Sequence, residues 1–270
     1  MNQAMPLVFF GHGSPMIALE TNETSQAWIE IAAGIPKPKA ILSISAHWET
    51  RVTAVTAMAR PRTIHDFGAS FPKALFDMEY PAPGDPALAR QVADLLRPTQ
   101  VFLDQGEWGL DHGTWSVLTK AFPRADVPVV QLSLDVTLKA AQRFDIGRRL
   151  SPLRDEGVLI MGTGNIVHNL SAMNWSDSDC APFDWSARFL GEMREAILQD
   201  EPQRVIDFAR LGDDANRAAP TPEHFWPLLY VLGARRPGDR VRLVNDRIEH
   251  GSLGMTSLVF DDSAAERAAA

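Results

Sequence analysis

The chain has 270 residues, 45% of them hydrophobic and 22% charged, with a formal net charge of -8. This composition suits one substantial globular core. It argues against nucleic acid as the main partner, because phosphate binding needs clustered Lys and Arg.

A single cysteine, Cys180, excludes an internal disulfide and a multi-cysteine zinc site. A reducing, cytoplasmic setting is the expectation. Residues 1–10 lack the basic region of a secretory signal. No uncharged apolar run approaches the roughly 20 residues that span a bilayer, so no membrane partner is expected.

In chain order, the short β-branched or aromatic runs at 7–10, 40–45, 52–58, 101–103, 127–134 and 158–161 predict strands. Amphipathic stretches at 21–33, 85–96, 138–154, 183–199 and 222–232 predict helices, and 241–244 and 255–260 predict late strands. Asp85 is placed to cap the second helix, with Pro86 at its first position. Near-continuous apolar strands alternating with helices indicate an α/β fold, with a mostly parallel central sheet and helices on both faces. No repeat or low-complexity linker divides the chain, so one domain is expected over 1–260. A frayed tail is expected over 261–270.

In open α/β sheets, ligands bind beyond the carboxyl ends of the strands. Five of the seven histidines stand at such places or at helix starts. His12 follows the first strand within Gly11-His12-Gly13-Ser14-Pro15, and His47 follows the second within Ser45-Ala46-His47-Trp48. His168 lies past the strand at 158–161, after Gly162-Thr163-Gly164-Asn165. His224, behind Thr221 and Pro222, is placed in a first helical turn, where the helix dipole disfavours imidazolium. Glu223 beside it is expected to cap or to face solvent. His112 follows Asp111 at another helix start. Neutral imidazole is the commonest metal ligand and general base, and five of them in corresponding places point to one site. His65 is a further candidate for the pocket, while His250 reads as surface. Trp48, Phe67, Trp115 and Phe225 are candidate pocket walls or core residues.

Some motifs carry no function on this reading. Asp66-Phe67-Gly68 lacks the companion motifs of a kinase. Gly162-Thr163-Gly164 lacks the third glycine of the dinucleotide fingerprint. Gly251-Ser252-Leu253-Gly254 is not a nucleophile elbow.

The segments around these histidines resemble the class III (LigB-type) extradiol ring-opening dioxygenases, in the 4,5-DOPA dioxygenase branch. They include Phe10-Gly11-His12-Gly13-Ser14-Pro15-Met16, Ser45-Ala46-His47-Trp48, Thr63-Ile64-His65-Asp66-Phe67-Gly68 and Tyr80-Pro81-Ala82-Pro83-Gly84. Trp108-Gly109-Leu110-Asp111-His112-Gly113, Gly164-Asn165-Ile166-Val167-His168-Asn169-Leu170 and Thr221-Pro222-Glu223-His224 follow. Ala69-Ser70-Phe71-Pro72 departs from the family's usual glycine. The resemblance implies one divalent metal on His12, His47 and His224, Fe(II) for dioxygenase activity, with Zn(II) as another occupant. It implies His168 as acid/base at the substrate or as an extra ligand. His112 is then expected to stabilise oxyanion charge, and His65 and Trp48 to contact substrate. The implied partners are a small aromatic diol and O2. Such an all-histidine site is itself neutral. Competing readings are a zinc-dependent hydrolase and a non-catalytic metal or small-molecule binding protein on the same fold. The sequence leaves the oligomeric state open.

Overall fold

The computed structural model describes residues 4–262. The strands are β1 (Leu7–Gly11), β2 (Ala40–Thr50), β3 (Thr53–Thr56), β4 (Val101–Asp104), β5 (Val129–Asp135), β6 (Val158–Gly164) and β7 (Asp239–Val244). The short pair β8 (Ile248–Glu249) and β9 (Leu253–Gly254) follows, then β10 (Ser257–Asp262). The helices are α1 (Glu23–Ala33), α2 (Lys73–Phe76), α3 (Pro86–Leu95), α4 (His112–Ala121) and α5 (Ala140–Leu150). Then come α6 (Asp184–Leu198), α7 (Pro202–Ile206), α8 (Asp213–Ala218) and α9 (Trp226–Ala234).

Eight strands form one sheet in the order β4-β3-β5-β2-β6-β1-β10-β7. The inner four, β5, β2, β6 and β1, are mutually parallel. β3 turns antiparallel against β5 but runs parallel to β4. On the other side, β10 is antiparallel to both β1 and β7. The result is an α/β fold with a mostly parallel centre and antiparallel additions on both flanks. Successive side chains on a strand face opposite ways. Thus Leu42 and Ile44 of β2 pack with Val92, Ile146, Phe189 and Leu229 from α3, α5, α6 and α9. Ile41 packs on the other face with Trp28 and Ile31 of α1 and Trp115 and Leu118 of α4.

Among the elements that differ from their sequence expectation, three do so for an evident local reason. β2 runs on to Thr50 and includes His47, where the sequence expects the strand to stop at residue 45. Its register slips between Ile44 and Glu49, a bulge that lets a less apolar segment stay in the sheet. The helix expected over 138–154 ends at Leu150 and tightens into a 3-10 turn over Ser151–Glu156. Pro152 lacks an N–H and clashes with the carbonyl four residues back. For the same reason Pro227 splits the element expected at 222–232 into a 3-10 turn (Pro222–His224) and α9. β10 reaches Asp262, two residues into the segment expected as tail; the remainder, 263–270, lies outside the described residues.

Candidate metal centre

The parallel strands deliver three histidines to one edge of the sheet. His12 is the first residue after β1, His47 lies in the bulged end of β2, and His168 lies four residues past β6. The first turn of α4 supplies His112, and the 3-10 turn before α9 supplies His224. The ring centroids of His12, His47 and His224 stand 5.1, 5.4 and 4.9 Å apart, a near-equilateral triangle. His168 lies flat on the His224 ring, with centroids 3.5 Å apart and planes 7° off parallel. His112 sits against His47 at 3.9 Å and edge-on to His12 at 6.2 Å.

Two glycines make these approaches possible. A Cβ on Gly164 would stand 2.1 Å from the His224 carbonyl oxygen. A Cβ on Gly113 would stand 2.7 Å from Cδ2 of His47. Asn165 then locks the arrangement: its backbone N–H donates to the His224 carbonyl at 2.9 Å, and its side-chain amide donates to the carbonyls of His12 and Gly254.

The hydrogen bonds behind the rings decide which nitrogens face inward. Thr163 donates its single hydroxyl proton to the Gly113 carbonyl at 2.7 Å. Its Oγ1, 2.8 Å from His12 Nδ1, must therefore accept from His12. The Glu223 carboxylate accepts from His224 Nδ1 at 2.9 Å. Nδ1–H on both rings leaves the Nε2 lone pairs of His12 and His224 free. His12 Nε2 lies 3.0 Å from His47 Nε2. Two ring nitrogens so close need a proton or a cation between them. Burial, reinforced by neighbouring imidazoles, holds His12, His47 and His224 well below the ordinary histidine pKa. All three are neutral, the form that binds metal. Ligating atoms from the three lie within 4.8 Å of one another. The donor set fits one divalent ion, with outer partners orienting the rings as metal sites require.

Burial takes His168 down to about 4, against a smaller opposing effect of Glu223. Burial would raise the Asp66 carboxyl, but contact with His112 and the charges of His112 and His47 outweigh it, and the net direction is down.

The chain matches the family model described as the catalytic LigB subunit of aromatic ring-opening dioxygenase over residues 8–261. It belongs to the LigB family. It is 46% identical to an Escherichia coli (strain K12) protein named 4,5-DOPA dioxygenase extradiol, over 94% of each chain. A Beta vulgaris protein of the same name is 35% identical, over 93% of this chain and 95% of the other. A crystal structure of an uncharacterized Escherichia coli K12 protein matches with a TM-score of 0.82 at 40% identity, covering 94% of this chain and 99% of that one. This LigB member is an extradiol dioxygenase, and the α/β fold expected from the sequence is the family's. No described helix is long and apolar enough to cross a membrane.

The fold brings five of the expected site residues together, namely His12, His47, His112, His168 and His224. The other two, His65 and Trp48, have partners of their own. His65 Nε2 is 2.9 Å from the Met78 carbonyl, and its ring packs among Phe67, Phe76 and Trp115. Trp48 stacks face to face on Trp108, 3° from parallel. Of the candidate walls, Phe67 meets the His112 ring edge-on at 5.7 Å, while Phe225 packs with Phe189 and Phe208 in the core.

Sequence reasoning missed Thr163, Asn165, Asp66 and the true place of Glu223. The expectation that Glu223 caps or faces solvent fails, because its carboxylate folds back onto the neighbouring His224. An ideal helix turns adjacent side chains apart; this is a three-residue 3-10 turn. The signal for Asp66 was present in a triplet dismissed for lacking kinase companions.

Proposed function

We propose that this enzyme opens the aromatic ring of a catechol with a DOPA-like side chain, using O2 at one divalent metal on His12, His47 and His224. Ferrous iron is the active ion in this reading, and Zn(II) is a second possible occupant of an all-histidine set. The carrying observation is the triangle of three neutral imidazoles, His12 and His224 buried and His47 half-buried, flanked by His168 on one side and His112 on the other. The names of the relatives support the substrate class. A cytoplasmic location belongs to the same proposal, and a chain with one cysteine fits a reducing compartment.

When bound, the metal supplies a meeting place for the diol oxygens and dioxygen and a route for electrons between them. Three histidine ligands would leave the ion's other positions open to those oxygens. This count gives His168 a role as acid/base rather than as a permanent ligand. Burial keeps its ring unprotonated, ready to take a proton from a diol hydroxyl. The same ring can return that proton when the opened product forms. His112 faces the cluster from the start of α4, where its ring can hold a substrate oxygen through a hydrogen bond. Phe67 covers one side of that ring and limits water there.

The test is anaerobic reconstitution with Fe(II), then a panel of catechols, L-DOPA included, scored for oxygen uptake and a yellow ring-opened product. His168→Ala should keep its iron and lose about 10²–10⁴-fold in turnover. His12→Ala should lose the iron. Absence of oxygen uptake with every catechol, or full iron retention in His12→Ala, sinks the proposal.

A further inference from the structure

We infer that Asp66 is a positioning residue: it sets the His112 ring so that Nε2 is the atom offered to a substrate oxygen. The inference rests on the reading of His112 given under Proposed function.

Asp66 arrives on a loop bound along the approach to α4. Thr63 bridges to Leu110, the Ile64 N–H donates to the Leu110 carbonyl at 2.7 Å, and Trp115 Nε1 donates to the Ile64 carbonyl at 2.8 Å. The open end of a helix presents N–H groups with no partner inside the helix. At α4 two carboxylates divide them. Asp111 accepts from the Thr114 N–H at 3.1 Å, and Asp66 Oδ1 accepts from the His112 N–H at 2.8 Å. The first contact of Asp66 with His112 therefore fixes the backbone from which the ring hangs.

Its second contact fixes the ring. Oδ2 lies 3.0 Å from His112 Nδ1, a close polar contact that is not aligned as a hydrogen bond. Nδ1 is buried and has no hydrogen-bond partner, so the carboxylate is its polar neighbour. A buried ring nitrogen deprived of that neighbour is costly. Phe67, the next residue, stands edge-on to the same ring at 5.7 Å, while His47 closes another side at 3.9 Å. Backbone, Nδ1 and ring are thus all held, which leaves Nε2 as the nitrogen to accept from a substrate hydroxyl. Oδ2 also lies 3.9 Å from His47 Nδ1, so one carboxylate faces both the oxygen-binding ring and a metal-set ring.

Two measurements test this. Long-range 1H–15N spectra of the zinc-loaded protein report which nitrogen of each histidine carries hydrogen, and His112→Ala identifies the His112 signals. The expected result is Nδ1–H on His112 in the wild type and its loss in Asp66→Ala. Asp66→Asn keeps the acceptor for the His112 N–H, so it guards against a variant that fails to fold; its amide faces Nδ1 and should move the hydrogen to Nε2. An unchanged His112 pattern in both variants overturns the inference. In the ferrous enzyme, Asp66→Ala should lower kcat about 10–100-fold with iron content kept. Adding Asp66→Ala to His112→Ala should change kcat less than about twofold, because residues acting as a unit are not additive. Full multiplication of the two effects overturns it as well. If the wild type consumes no oxygen with any catechol, the functional reading has failed, and the spectra alone decide the role of Asp66.

Discussion

Each ring of the metal set has a different neighbour behind it: a hydroxyl at His12, a carboxylate at His224 and a more distant carboxylate at His47. As the proposed ligand set, the three neutral rings bring no charge of their own, but Glu223 places a carboxylate one hydrogen bond behind them. Removing such an outer partner costs about 10–100-fold in metal affinity. Glu223→Ala should therefore weaken Fe(II) or Zn(II) binding by that factor in competition with a coloured chelator. Glu223→Gln keeps an acceptor oxygen for His224 Nδ1–H and should stay within a few-fold of wild type. Equal losses in both variants would assign the effect to charge and not to orientation. The histidines themselves were legible because each sits beside a regular element with a strong apolar pattern. Their partners were not. Thr163, Asn165 and Asp66 are single polar residues whose role depends on which strands and loops become neighbours, and one chain's periodicity holds no record of that.

At the level of elements, most strands and helices follow from apolar runs and capping residues, and the misplaced ends fall at Pro152, at Pro227 and at the bulge in β2. Asp111 is a fully buried junction between elements. It caps α4 and accepts from Ser45 Oγ of β2 at 2.7 Å and from the Gln131 side chain of β5. Burial, with Asp66 adding to it, pushes its carboxyl from 3.8 up to about 6, against smaller lowering contacts from Ser45, His112 and Gln131. The sign follows from proton counts. Between about 4 and about 6 the folded chain holds a proton that the unfolded chain has released. Stability from this group is therefore greatest at low pH and falls as pH rises through that window, then levels off. Asp111→Asn removes the titration. In chelator-treated protein, the stability of the wild type relative to Asp111→Asn should decline from pH 4 to 6 and stay flat from 6 to 7.5. Urea midpoints at each pH read this directly, and a flat difference across the window refutes it.

The order of the sheet is a property of the whole molecule, because pairs such as β1 with β10 join residues at opposite ends of the chain. Arg154 works at the same range. Its guanidinium is fully buried and donates to the Met5 carbonyl at 2.8 Å, to the Ala234 carbonyl at 3.1 Å and to both oxygens of Asp239 at 2.6 and 2.9 Å. One side chain thus joins the approach to β1, the end of α9 and the start of β7. These are the segments that close the antiparallel flank onto the parallel centre. Arg154→Met fills similar space but takes the guanidinium from the buried Asp239 carboxylate, which keeps the Arg236 backbone N–H at 2.8 Å. Breaking a buried pair from one side costs about 3–5 kcal/mol, whereas replacing both partners with well-packed apolar residues is often neutral. Arg154→Met should lose that amount in urea unfolding, and Arg154→Met with Asp239→Leu should recover part of it. The metal set lies on a different edge of the fold, so folded Arg154→Met should bind metal as tightly as wild type. A loss under about 1 kcal/mol in the single variant would show that the pair does not close the flank.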